Sequence, residues 1–180
     1  MSPGGHLVTT AIACVGAAGL TGSVPLTLAI AAGGFLIDVD HAVDYVLFEK
    51  QRTFTPGAFL RYYLSGRVQH AVLVLHSYEL FGLIAAAAWW TDSIVLWGYL
   101  MGALMHLALD LIFNGEYVPR SISAFYSFGY RMAHGFSMAR LLGEGETLVV
   151  PKSFWGAFFR GSAPSRTAAP ELARPRVQEA

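Results

Sequence analysis

The sequence predicts an all-α protein embedded in a membrane, a helical bundle of about four transmembrane helices plus an interfacial C-terminal helix. Composition is the first reason: 54% of the 180 residues are hydrophobic and 13% are charged, where soluble domains carry about 25% charged residues. A mean hydropathy of +0.48 agrees. The third reason is that the apolar residues gather into runs of helical length. The chain is long enough for one domain, residues 1–160. A tail over 161–180, rich in Pro, Ala, Arg and Glu, is expected to be disordered on the cytoplasmic side.

Leu7 to Leu20 and Val24 to Ile37 are short apolar runs separated by Thr21-Gly22-Ser23, with Pro25 just beyond. They fit one signal-like region, two buried half-length helices or a thin hairpin. Met1 to Gly5 has no Lys or Arg, unlike a signal n-region. The hairpin is preferred because Gly and Ala let helices approach closely in lipid. Glu49 to Arg67 is a polar, aromatic connection, a loop or an interfacial helix after Pro56. Val68–Trp90 and Ser93–Phe113 each approach the ~20 residues a spanning helix needs. Trp89 and Trp90 sit where an interfacial aromatic belt is expected, and Thr91-Asp92 closes an antiparallel pair. Ile122 to Leu142 mixes aromatics with Arg131, His134 and Arg140, which suits an amphipathic surface helix or one packed on the others. Four spans put all twelve Lys and Arg residues on one side. By the positive-inside rule that side, with both termini, is cytoplasmic.

On this topology the unusual polar residues return to one layer. His6 opens the first helix, Asp38, Asp40, His41 and Asp44 close the second, and His70 and His76 lie early in the third. His106 and Asp110 lie late in the fourth, four residues apart and hence on one face. His76 is expected roughly 10–13 Å along its helix. Carboxylates inside spans cost roughly 2.5–3.5 kcal/mol each, so they need partners. A divalent cation satisfies several together, and imidazole with carboxylate suits zinc, with manganese or iron as alternatives. The single cysteine, Cys14, excludes a disulfide and a thiolate cluster and reads as a small core residue. His6 fits ligation or a hydrated terminus; Asp38 or Asp40 fits ligation or a helix cap. His41 fits ligation or a helix C-terminal charge, and His106 with Asp110 a metal pair or a hydrogen bond between helices. His70 reads as interfacial, Asp44 as a cap or a solvated group. Glu79 is open as general base, ligand or structural acceptor.

The ordered set of an N-terminal histidine, Gly33-Gly34-Phe35-Leu36-Ile37-Asp38-Val39-Asp40-His41, Leu75-His76-Ser77 and Gly102-Ala103-Leu104-Met105-His106-Leu107-Ala108-Leu109-Asp110 resembles the membrane-bound metal-dependent hydrolases often labelled LexA-regulated. A weaker likeness exists to the zinc-dependent phospholipase C group. The resemblance spans roughly residues 6–113 and departs from the family at Ile37, where proline is typical, and around His70. It implies metal ligation by His6, Asp38 or Asp40, His41, His76, His106 and Asp110. The expectation is a hydrolase with one or two ions, acting on a phosphoester or other ester of a lipid or amphiphile at the cytoplasmic face, with Glu79 or Asp40 as general base. The rivals are a metal or proton transporter and a non-catalytic structural membrane protein. Neutral net charge gives no argument for nucleic-acid binding.

Overall fold

In the computed structural model, residues 1–114, 122–143 and 148–164 are described, and helices dominate them. The first is α1, Pro3–Thr21; the Ser2 hydroxyl accepts from the Gly5 N–H to cap its start, and Gly22, at φ 63°, stops it. Ser23 then caps α2, Val24–Gly34, by accepting from the Leu26 N–H. Thr21-Gly22-Ser23 is therefore a stop and a start in immediate succession, and the expected hairpin forms. After Gly34 the chain bends by 46° into a 3-10 turn, Leu36–Asp38, and α3, Val39–Leu47. The connection contains α4, Pro56–Leu64, with Pro56 in its first turn and Thr55 as its cap. Then come α5, Tyr78–Thr91, and α6, Ile94–Asn114.

By length and apolarity, α1 and α6 can each cross a membrane, and α2 with the bent 36–47 segment makes a third candidate. Their outward faces carry exposed Ile12, Val15, Leu28, Met101 and Ile112, the apolar surface a bilayer covers. The 14 residues of α5 extend only about 21 Å, short of the ~30 Å hydrocarbon core. Trp89 and Trp90 are exposed at its far end.

The tightest packing is between α2 and α6, which run parallel. A Cβ on Gly98 would meet the Leu26 carbonyl at 2.9 Å, one on Gly102 the Ile30 carbonyl at 2.3 Å, and one on Gly33 the Tyr99 carbonyl at 2.0 Å. Only residues without side chains permit this approach. Small residues were expected to matter in the α1–α2 hairpin; their closest approach is between α2 and α6.

Two expectations are corrected. Val68–Trp90 is not one helix: residues 68–77 form an irregular segment, and helix begins only at Tyr78. The cause is capture of its backbone by remote side chains. Glu49 accepts from the N–H groups of Gln69 and His70, Asp44 from Val72 and Leu73, and Asp40 from Leu75. Backbone groups satisfied in this way have no need of a helix. Nor is Ile122–Leu142 one amphipathic helix. It is three short ones, α7 Ile122–Phe125, α8 Phe128–Ala133 and α9 Met138–Leu142, broken at Ser127 and at Gly135-Phe136, both of positive φ. They pack on the 68–77 segment, where the Ala71 N–H donates to the Phe136 carbonyl and the Met138 N–H to that of Gln69. Last come β1, Leu148–Val149, α10, Phe154–Arg160, and β2, Ala163–Pro164, with β1 and β2 paired antiparallel. The rest of the expected tail lies outside the described residues.

Because the Cβ of residue 102 would strike backbone rather than a movable side chain, Gly102→Ala is expected to destabilise the fold by about 1–3 kcal/mol. Gly82→Ala, on a helix surface with nothing near its Cβ, should be silent. Thermal unfolding in detergent, followed by circular dichroism, compares the two.

Candidate metal centre

Four parts of the chain deliver the polar side chains to one place. The start of α1 brings His6, the bend after α2 brings Asp38, Asp40 and His41, the irregular segment brings His76, and the end of α6 brings His106 and Asp110. Antiparallel α1 and α2, with α6 parallel to α2, put these points at the same end of the bundle.

At the centre, Nε2 of His76 and Nε2 of His106 are 3.2 Å apart, and Asp38 Oδ1 is 3.4 Å from each. The other nitrogen of each ring is already committed. His76 Nδ1 lies 3.0 Å from Asp40 Oδ2, and His106 Nδ1 lies 3.0 Å from the Gly34 carbonyl oxygen. A carboxylate and a carbonyl only accept, so each Nδ1 carries the hydrogen and a neutral ring presents a bare Nε2 lone pair. Two lone pairs and a carboxylate oxygen thus converge on one point. Their separations match the edge of a tetrahedron with metal bonds of about 2.0–2.1 Å, which is about 3.4 Å. Imidazoles fixed through the second nitrogen by a carboxylate and a backbone carbonyl are the usual support of metal-binding histidines. These buried groups can hold a metal ion.

Two flanking groups share residues with this centre. His6 stacks on His106 with ring centroids 3.7 Å apart, and its Nε2 is 3.0 Å from Asp110 Oδ1, while Asp110 Oδ2 is 3.4 Å from His106 Nε2. Asp110 also accepts from the Asn114 amide and the Met1 amine. On the other flank His41 Nε2 lies 3.6 Å from Asp38 Oδ1, and the ring sits edge-on to Tyr63, whose hydroxyl donates to the His41 carbonyl. Burial and the carboxylates of Asp44, Glu49 and Asp40 push the Tyr63 phenol up, so it stays a donor. The Nδ1 atoms of His6 and His41 are buried without a hydrogen-bond partner.

Other residues fall elsewhere. His76 does not sit one or two turns into a helix but immediately before Ser77, the cap of α5. Glu79 is not brought to the cluster: its carboxylate accepts from the Ser127 hydroxyl and the N–H groups of Phe128 and Gly129, capping α8. His70 is half exposed beside Glu49, and His134 Nδ1 lies against the Tyr130 carbonyl. Asp44, expected to cap or face solvent, is buried at 2% exposure beneath the irregular segment.

Arg131, in the stretch that suits a surface helix or one packed on the others, is fully buried. Its guanidinium donates to the carbonyls of Leu73 and His76 and of Phe125, between the rings of Phe125 and Phe128. Burial pulls its pKa down from the usual value. It therefore clamps both ends of the turn that presents His76. An arginine in an aromatic run offers no sequence signal for this, because the two carbonyls of the turn it clamps lie more than fifty residues upstream.

Arg131→Met is expected to weaken metal binding and to loosen residues 68–77, seen as faster amide exchange there, while α1, α2 and α6 keep their protection. Glu79→Ala should free residues 122–143 to proteolysis by removing a cap worth about 1 kcal/mol, with bound metal unchanged. Metal loss in the Glu79 variant would return that residue to the site.

Compared with family models, with curated proteins and with solved structures, the chain matches none.

Proposed function

We propose that this chain is a membrane-bound metal-dependent hydrolase that cleaves a phosphoester, or a related ester, of a lipid or amphiphile at the cytoplasmic face of the inner membrane. One observation carries the reading: Nε2 of His76, Nε2 of His106 and Oδ1 of Asp38 meet within 3.4 Å in a buried pocket, while each Nδ1 is held by an acceptor of its own. With both rings neutral, a single cation satisfies the three atoms at once. The resemblance in the order of the histidine and aspartate motifs supports it. So does the distribution of Lys and Arg, which favours a cytoplasmic position for the end of the bundle that carries the cluster.

Asp38, His76 and His106 would hold the ion, with zinc favoured by the tetrahedral spacing and the N/O donor set. Asp110 with His6 flanks them and can recruit a second ion. A bound divalent ion lowers the pKa of water to about 7 and polarises the ester oxygen. The chain's own residues do the rest. Asp40 fixes the tautomer and direction of His76, and the Gly34 carbonyl does the same for His106. His41, the cluster imidazole with most remaining exposure at 28% of its side chain, accepts the proton of the attacking water. The water oxygen bonds to phosphorus, the bond from phosphorus to the leaving oxygen breaks, and the departing alcohol takes up a proton. Neither Glu79 nor Asp40 serves as the base in this scheme, since both carboxylates are engaged by other donors.

Elemental analysis of the detergent-purified protein, followed by a phosphoester screen, tests the proposal. His106→Ala and Asp38→Ala should remove both metal and hydrolysis while the protein still inserts. Asp40→Asn should weaken metal affinity about 10–100-fold, the usual effect of losing an outer partner of a ligand. Purified protein that contains no metal and takes none up from a zinc buffer would defeat the assignment.

A further inference from the structure

In front of the His/Asp cluster lies a cavity of about 1290 Å³, larger than the roughly 300–1,000 Å³ of ordinary small-molecule sites. His6, Asp38, His41, His76 and Asp110 meet at one end of it. Away from them its wall is largely apolar, built by Phe59, Leu60 and Leu64 of α4, Leu142 of α9, and Phe154 and Phe158 of α10. Arg67 also lines it.

The wall formed by α10 is apolar on both faces. Phe154 and Phe158, four apart, stack with centroids 5.9 Å apart and line the cavity. Trp155 and Phe159 stack at 6.1 Å on the other side and are 66% and 50% exposed. The helix is fastened beside the first turn of α1: the Ser2 hydroxyl donates to the Phe159 carbonyl, and the Phe159 ring lies where a Cβ on Gly4 would be. That turn is the end of a candidate membrane span and carries His6. The exposed aromatic face of α10 thus stands at the level where the bilayer begins, with the cavity directly behind it. Aromatic side chains favour this interfacial level.

We infer that the cavity takes up the long hydrocarbon chain of a bilayer amphiphile, which passes beside α10 while its anionic ester head lies against the His/Asp cluster. A chain leaving the bilayer for an apolar cavity gains nothing from the hydrophobic effect, because lipid tails are equally apolar. It is held instead by van der Waals contact with the aromatic wall. The head-group part of the inference rests on the hydrolase reading; chain uptake does not.

The test uses the full chain, zinc-loaded, in phosphatidylcholine nanodiscs with a hexadecyl phosphate that carries a photoreactive diazirine at the chain end. Crosslinks are expected at Phe59, Leu64, Leu142 and Phe158. Leu64→Trp and Leu142→Trp, which narrow the cavity, should each reduce that labelling about tenfold, equivalent to about 1.4 kcal/mol. Retained metal content shows that either variant is folded. Crosslinks confined to outward residues such as Leu28, Leu83 or Ile112, or labelling unchanged in both folded variants, would overturn the inference. Cavity labelling without hydrolysis of any ester would sustain chain uptake and defeat the hydrolase reading alone.

Discussion

The close approach of α2 and α6 is the constraint on which the rest depends. Gly33, Gly98 and Gly102 let two backbones touch where side chains would hold them apart. The contacts repeat every four residues along parallel helices, from Leu26 against Gly98, through Ile30 against Gly102, to Gly34 against His106. The last of these is chemical as well as steric, since the Gly34 carbonyl fixes the His106 ring. Helix packing therefore sets the tautomer and direction of one imidazole at the centre of the site.

The second imidazole is set by a different device. His76 belongs to a segment that has given up regular structure, and its backbone is satisfied by Glu49, Asp44 and Asp40 from one side and Arg131 from the other. Among these, Asp40 serves twice, binding the Leu75 N–H and the His76 ring. Buried charges of this kind are retained only where every one has partners, because an unpaired buried charge costs several kcal/mol. The result is a rigid presentation of His76 opposite His106 without a helix to carry it.

These two devices share an end of the bundle, and the short helices beyond α6 cover it. The cavity lies between the cluster and α10, so a polar His/Asp cluster and apolar volume lie side by side.

By itself the sequence determined the helical class, the hairpin stop at Gly22-Ser23, and the convergence of His6, Asp38, Asp40, His41, His76, His106 and Asp110 at one end. Those features follow from local composition and from counting spans, which need no knowledge of distant contacts. Only the tertiary structure decided that residues 68–77 are irregular, that Ile122–Leu142 breaks into three helices, that Arg131 is buried and that Glu79 caps α8. Each of these depends on hydrogen bonds between residues some twenty to sixty positions apart. The hydropathy of Val68–Trp90 is that of a spanning helix, and nothing within it reveals that carboxylates elsewhere will claim its backbone.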